Sequence, residues 1–130
     1  YLLYYRVVNY LYYRVVRDIM SDEVTLVWNV AMHYTNPDDD SQYIDEAKGG
    51  RIKRCQQDVI KELQVIVNNV GAIVTAYRGQ GYVLNVEQES STRWLIRCGP
   101  MTASITIDGW IDAPVLAEIE QLIMEMVNNE

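Results

Sequence analysis

The sequence lacks phenylalanine and contains only two cysteines and one histidine among its 130 residues. Cys55 and Cys98 form no CxxC pair, so with His33 they cannot assemble a zinc site. We expect two free core thiols, with a single disulfide as the alternative. His33 sits among apolar residues and is expected to be structural. No metal or cofactor is predicted.

Long apolar runs are also missing from the sequence. None approaches the roughly 20 consecutive residues that span a bilayer. Arg6, Arg14 and Arg17 interrupt the N-terminal stretch, which has no signal-peptide pattern. A cytoplasmic protein without a membrane partner is therefore expected. Because the chain begins at Tyr1, we expect a fragment, a processed chain or a trimmed one.

Catalytic groupings are absent as well. The carboxylates are scattered, with no His, Cys or Ser partner nearby, so we expect no enzyme. Asp38, Asp39 and Asp40 follow one another, and this pattern fits an exposed acidic loop better than a weak cation site.

Charge is unevenly distributed along the chain. The formal net charge is −7. Between residues 48 and 78, however, six basic side chains face two acids, whereas from residue 87 onward eight acids face two arginines. A basic middle can contact phosphate, and an acidic C-terminal part is repelled by it.

The N-terminus contains a short internal repeat, LYYRVVNY (3–10) followed by LYYRVVRD (11–18). The even period keeps both copies in phase on a strand, and the aromatic and β-branched content favours strands. Leu3, Val7, Leu11 and Val15 leave a helix open. We interpret residues 1–18 as an N-terminal repeat that forms one or more edge strands.

Helical spacing dominates the next part of the sequence. Ser21 can cap a helix that runs to about Tyr34, and Ser41 can cap a short helix through Ala47. A longer helix is predicted over 51–69, closed by Asn68-Asn69 and Gly71. Its apolar stripe consists of Ile52, Cys55, Val59, Leu63 and Ile66.

Glycine-bounded strands follow that helix. Strands are predicted at 72–78 and 82–87 around Gly79-Gln80-Gly81, and a second hairpin at 94–98 and 101–107 around Gly99-Pro100. After a turn at Asp108-Gly109, Asp112 can cap a last helix. The apolar stripe of that helix consists of Leu116, Ile119, Ile123 and Met126.

The order of these elements predicts an α+β fold with a winged helix-turn-helix core at 19–87, after the N-terminal β-rich repeat. A C-terminal β-hairpin and helix are expected at 88–130. The stretch TAYRGQGYVLNV (75–86) resembles the wing of OmpR/PhoB-type winged-helix domains, including their ToxR-like relatives. The residues that match are Arg78, Gly79, Gly81, Tyr82 and Leu84. The resemblance implies a major-groove helix, a minor-groove contact by Arg78 and a supporting role for Tyr82 beneath the wing.

Our first hypothesis is a DNA-binding transcriptional regulator that places helix 51–69 in the major groove and the wing at 78–81 in the minor groove of double-stranded DNA. The alternative is a protein-interaction adaptor that keeps the shape without binding DNA. For residues 94–130 we expect contact with a second copy or a protein partner, through the last helix's stripe; equally, that stripe could cover its own hairpin. The predicted DNA-binding residues are Arg51, Lys53, Arg54, Gln57, Lys61, Arg78 and Gln80.

Overall fold

The computed structural model describes residues 22–35 and 37–128, with the backbone alone described at 42–46. These residues form an α+β fold in which two helices pack on one face of a five-stranded sheet. The strands are β1 (Glu23–Thr35), β2 (Gln42–Cys55), β3 (Leu84–Ser90), β4 (Arg93–Cys98) and β5 (Met101–Asp108), and the helices are α1 (Gln56–Gly79) and α2 (Ala113–Asn128).

The sheet is antiparallel throughout, with strand order β2-β1-β5-β4-β3. Alternate residues of each central strand point to the helices, as the period of two requires. In β5, for example, the side chains of Met101, Ala103, Ile105 and Ile107 are buried, whereas the residues between them are half-buried. Among the described residues, β2 and β3 are the two edge strands.

The helix predicted from Ser21 to Tyr34 is wrong, because residues 23–35 form β1. Val24 and Leu26 face the core, and β1 pairs with β2 on one side and β5 on the other. This stretch is rich in β-branched residues, and pairing on both sides outweighs its weak helical spacing. The short helix predicted over 41–47 is wrong for a related reason, since those residues start β2, the second strand of the same hairpin.

The long helix is shifted relative to the predicted range 51–69. Residues 51–55 end β2, where Ile52 pairs with Leu26, and α1 runs from Gln56 to Gly79. The buried stripe does not stop at Asn68-Asn69, because Val70 and Val74 extend it. The strand predicted at 72–78 is therefore helical. A Cβ at Gly71 would lie 3.8 Å from Met126 Cγ, an ordinary van der Waals distance, so the two helices are in contact here without needing a glycine.

The Gly-Gln-Gly stretch ends α1 rather than forming a wing. Gly81 has φ of +98°, and its N–H donates to the carbonyl of Arg78 at 3.0 Å. The N–H of Tyr82 donates to the carbonyl of Tyr77 at 3.1 Å, and the two tyrosine rings meet edge to face at 5.8 Å. This pair of bonds with its apolar contact is a Schellman motif. Among the described residues, neither the helix order nor the wing of the resemblance is formed.

The C-terminal predictions are confirmed in their main elements. β4 and β5 join through Gly99-Pro100, and Gly99 has φ of +58° beneath the ring of Tyr82. The turn at Gly109 precedes α2. Ile119 and Ile123 are 0% exposed and belong to the core of this chain, as does Met126. These three residues of the stripe therefore cover the chain's own sheet.

One core joins the segments that were predicted as separate units. The boundary predicted between residues 87 and 88 falls inside β3, and β1 pairs with β5 across it. A single cluster of buried side chains includes Val24 from β1, Leu63 from α1 and Ile123 from α2. The predicted repeat unit 1–18 lies outside the described residues.

Candidate binding groove

A groove runs between α1 and the part of the sheet formed by β1 and β2. Its main section has a volume of about 500 Å³, and an adjoining section of about 400 Å³ shares Val30, Lys48 and Ile73 with it. Together the two sections follow α1 from Glu62 to Gln80. Six apolar side chains form most of the main section, namely Trp28, Val30, Ile52, Ile66, Val70 and Ile73.

Two glycines of β2 lie against Trp28, one of the residues that line the groove. A Cβ added to Gly50 would lie 2.8 Å from Trp28 Nε1, so the indole of Trp28 lies directly over this glycine. A Cβ added to Gly49 would lie 2.9 Å from the carbonyl oxygen of Trp28. Larger residues at these positions would push Trp28 aside, and overpacking of this kind commonly costs about 1–3 kcal/mol.

The rim of the groove combines an exposed apolar side chain with one charge of each sign. Val65 of α1 is 57% exposed, whereas several other apolar residues of α1 are fully buried. Glu62 lies on the α1 side and Lys48 on the β2 side. Since β2 is an edge strand among the described residues, the groove opens beyond it.

The adjoining strand edge is strongly basic. Residues 47–55 contain four cations and no acid, namely Lys48, Arg51, Lys53 and Arg54. The register with β1 places Ile52 on the helix-covered face, so Arg51 and Lys53 point to the opposite, open face. Lys53 pairs with Glu23 at 3.5 Å, and the side chains of both remain more than half exposed. An exposed pair of this kind contributes little to stability and can exchange partners easily.

The predicted DNA-binding residues divide into two groups. Five lie at the end of β2 and in the first two turns of α1, and all five are exposed. Arg78 and Gln80 lie at the opposite end of α1, about 25 Å from Lys61 by helical rise. The basic side chain of Arg78 suits the last turn of a helix, where the helix dipole favours a cation. The first group is Arg51, Lys53, Arg54, Gln57 and Lys61.

Gln56 is a structural residue that the sequence pattern did not single out. Its side chain is 2% exposed. Gln56 Oε1 accepts from the N–H of Asp112 at 2.9 Å, and Gln56 Nε2 donates to the carbonyl of Trp110 at 3.4 Å. This amide ties the start of α1 to the segment before α2. A polar residue at the first helical position gave no signal of such a long-range role.

Both cysteines are free thiols, as predicted, but only Cys98 belongs to the core. Cys98 is buried in the core, whereas Cys55 is only half-buried. Burial raises the pKa of the Cys98 thiol above its ordinary value, against a smaller lowering by the charge of Arg78. A thiol held neutral in this way is a poor nucleophile.

Within the described residues, no group of three His, Cys, Asp or Glu side chains is placed to hold a metal ion.

In the acidic loop, hydrogen bonds from the hydroxyl and the backbone N–H of Ser41 lower the pKa of Asp39. Asp39 is thus engaged in a local turn.

α1 is long and apolar enough to cross a bilayer, and it is the one such helix in the described part of the chain. Its residues Val59, Leu63 and Val70 pack into the core beneath the sheet. A core helix of a globular domain passes the same length and composition test, so this feature alone does not define a membrane span.

Comparison of the chain with family models, curated proteins and solved structures gives no match.

Proposed function

We propose that this chain is a protein-interaction adaptor that holds an apolar segment of a partner protein in the groove between α1 and β2. The observation that carries the proposal is the groove itself, with its apolar floor and the 57% exposed Val65 at its rim. Apolar concave surfaces that stay open to solvent are typical of binding sites.

The charge of the groove also favours a protein ligand. Its walls offer apolar surface together with one carboxylate and one ammonium group, from Glu62 and Lys48. A nucleic-acid site needs a continuous positive surface, which this mixture does not provide. A protein segment with apolar side chains and a few charges matches it well.

A pull-down from nuclease-treated cell extract tests this proposal. The bait is the full chain or one of two variants. Val65→Asp places a charge at the groove rim, whereas Val83→Asp makes the same change at an 82% exposed position beside β3, outside the groove. We expect a protein partner to be retained by the parent and by Val83→Asp and lost with Val65→Asp. Equal retention by all three proteins would contradict the groove as the binding site.

DNA binding is a second candidate function, which we propose on the basis of the four cations at residues 47–55. In this version the open face of β2 at the sheet edge, rather than a winged helix, contacts the DNA phosphates, because Arg51 and Lys53 lie on that face. Acidic residues of the β1–β2 loop at 38–40 would be repelled by the same phosphates.

Gel shifts with duplex DNA at two salt concentrations test the second candidate. Each phosphate contact contributes about −0.9 to the log–log salt slope. We therefore expect Arg51→Ala with Lys53→Ala to make the slope shallower by about 1.8, and the Arg97→Ala control on β4 to leave it unchanged. Absence of salt-sensitive binding at low ionic strength would remove this candidate.

A further inference from the structure

We infer that the partner segment is an extended strand that adds to the edge of β2 that is unpaired among the described residues, with acidic side chains alternating with apolar ones. This inference rests on the proposed protein-interaction function and specifies the ligand of the same groove. Its basis is the position of β2, which is an edge strand among the described residues and forms one wall of the groove. An edge strand presents unpaired backbone N–H and C=O groups that another strand can satisfy.

The two faces of β2 define what such a strand must carry. On the helix-covered face, its side chains would enter the groove beside Ile52 and below Val65, which requires apolar residues between the positions of Lys48 and Arg54 on that face. On the open face, its side chains would lie beside Arg51 and Lys53, which requires acids. Because side chains of a strand alternate between faces, acidic and apolar residues must alternate along the ligand.

The size of the groove agrees with a strand of moderate length. The segment of α1 that lines it, from Glu62 to Gln80, spans about 27 Å at the rise of a helix. An extended chain covers this length with about eight residues. In the middle of β2, Gly49 and Gly50 present no side chain that would hinder the approach of a second backbone.

The N-terminal segment of this chain is less well matched in charge as an occupant. Residues 1–21 of this chain contain three arginines and a single acid, Asp18, so their charge has the same sign as that of the β2 edge. Directly opposed like charges destabilise a pair of strands.

Fluorescence anisotropy with labelled octapeptides on the full chain tests the inference. The peptide EVEVEVEV is the probe, and the composition-matched EEEEVVVV and the oppositely charged KVKVKVKV are its controls. We expect EVEVEVEV to bind about ten-fold more tightly than either control, and N-methylation of alternate amides to remove its binding. With Arg51→Glu and Lys53→Glu combined, the preference should reverse to KVKVKVKV, whereas Arg97→Glu on β4 should leave it unchanged.

A second probe is an amphipathic helical peptide with leucines at i, i+3, i+4 and i+7. It distinguishes failure of the strand inference from failure of the groove as a binding site. If this peptide binds, loses binding with Val65→Asp, and EVEVEVEV does not bind, the strand inference is overturned while the adaptor function stands. If neither peptide binds, both are overturned. Concentration-dependent self-association that Arg51→Glu with Lys53→Glu abolishes would identify a second copy as the occupant and also overturn the inference.

Discussion

The double substitution Ile119→Asp with Ile123→Asp is expected to unfold the chain. Both side chains are 0% exposed and pack in the core between α2 and the sheet. A carboxylate buried without a partner costs several kcal/mol, and two of them in one core exceed much of the roughly 5–15 kcal/mol that stabilises a typical domain. Circular dichroism and a thermal melt measure the result, which should be loss of the cooperative transition.

The matched control for this experiment is Met124→Asp in the same helix. Met124 is 44% exposed, so an aspartate there remains solvated and should leave the melting transition nearly unchanged. A double variant that stays folded but sediments as a smaller species than the parent would instead identify the α2 stripe as an interface between copies.

The C-terminal part of the chain was predictable because its local signals agree with its tertiary environment. Gly99-Pro100 sits between two alternating runs, and Gly99 adopts the positive φ for which glycine is suited. The spacing of Ile119, Ile123 and Met126 also corresponds to one face of a helix. No competing pairing partner disturbs either signal.

The part before residue 87 was not predictable from local spacing alone. Val24, Val27 and Trp28 fit a helical stripe, yet Val24 and Trp28 face the helices from a strand and Val27 lies on the other face. Pairing of β1 with β5, which lies about 80 residues later in the chain, decides between helix and strand. A local pattern contains no information about such a distant partner.

The candidate site was likewise predictable only in part from the sequence. The sequence identifies the four cations of residues 47–55 as part of a basic middle, but it predicts Arg51, Lys53 and Arg54 on a helix, whereas all four lie on an edge strand. The groove itself depends on the packing of α1 over β1 and on the contact between Trp28 of β1 and Gly50 of β2. A glycine pair before a basic run predicts a turn as readily as a close approach of an aromatic ring.

One local signal for α1 was present and was interpreted wrongly. Gly-x-Gly-Tyr after an apolar stripe is typical of a hairpin, but it also fits a helix that ends with glycine at C′ and an apolar residue at C″. Gly81 and Tyr82 occupy these two positions. The stripe through Val70 and Val74 distinguishes the two interpretations, because it continues the helical period up to the glycine.

Substitutions at Thr75 test this helical end directly, since Thr75 is exposed and lies in the interior of α1. Its side chain only donates back to the carbonyl of Gly71 at 2.9 Å. Thr75→Pro removes a backbone hydrogen bond and clashes with the preceding turn, which should destabilise the fold by about 3 kcal/mol or more. Thr75→Ala should leave stability unchanged or raise it by a few tenths of a kcal/mol, because alanine is the better helix former.

Urea denaturation of the parent and the two Thr75 variants measures both effects. The sign of the change in unfolding free energy caused by Thr75→Ala is the more discriminating of the two results. If residues 72–78 formed a strand beside a wing, Thr75→Ala would destabilise the fold by up to about 1 kcal/mol, since alanine is a poor strand former. Proline at an edge position of such a strand would also be tolerated. A large loss with proline and none with alanine is therefore expected only if α1 continues through Thr75 to its Schellman end at Gly81.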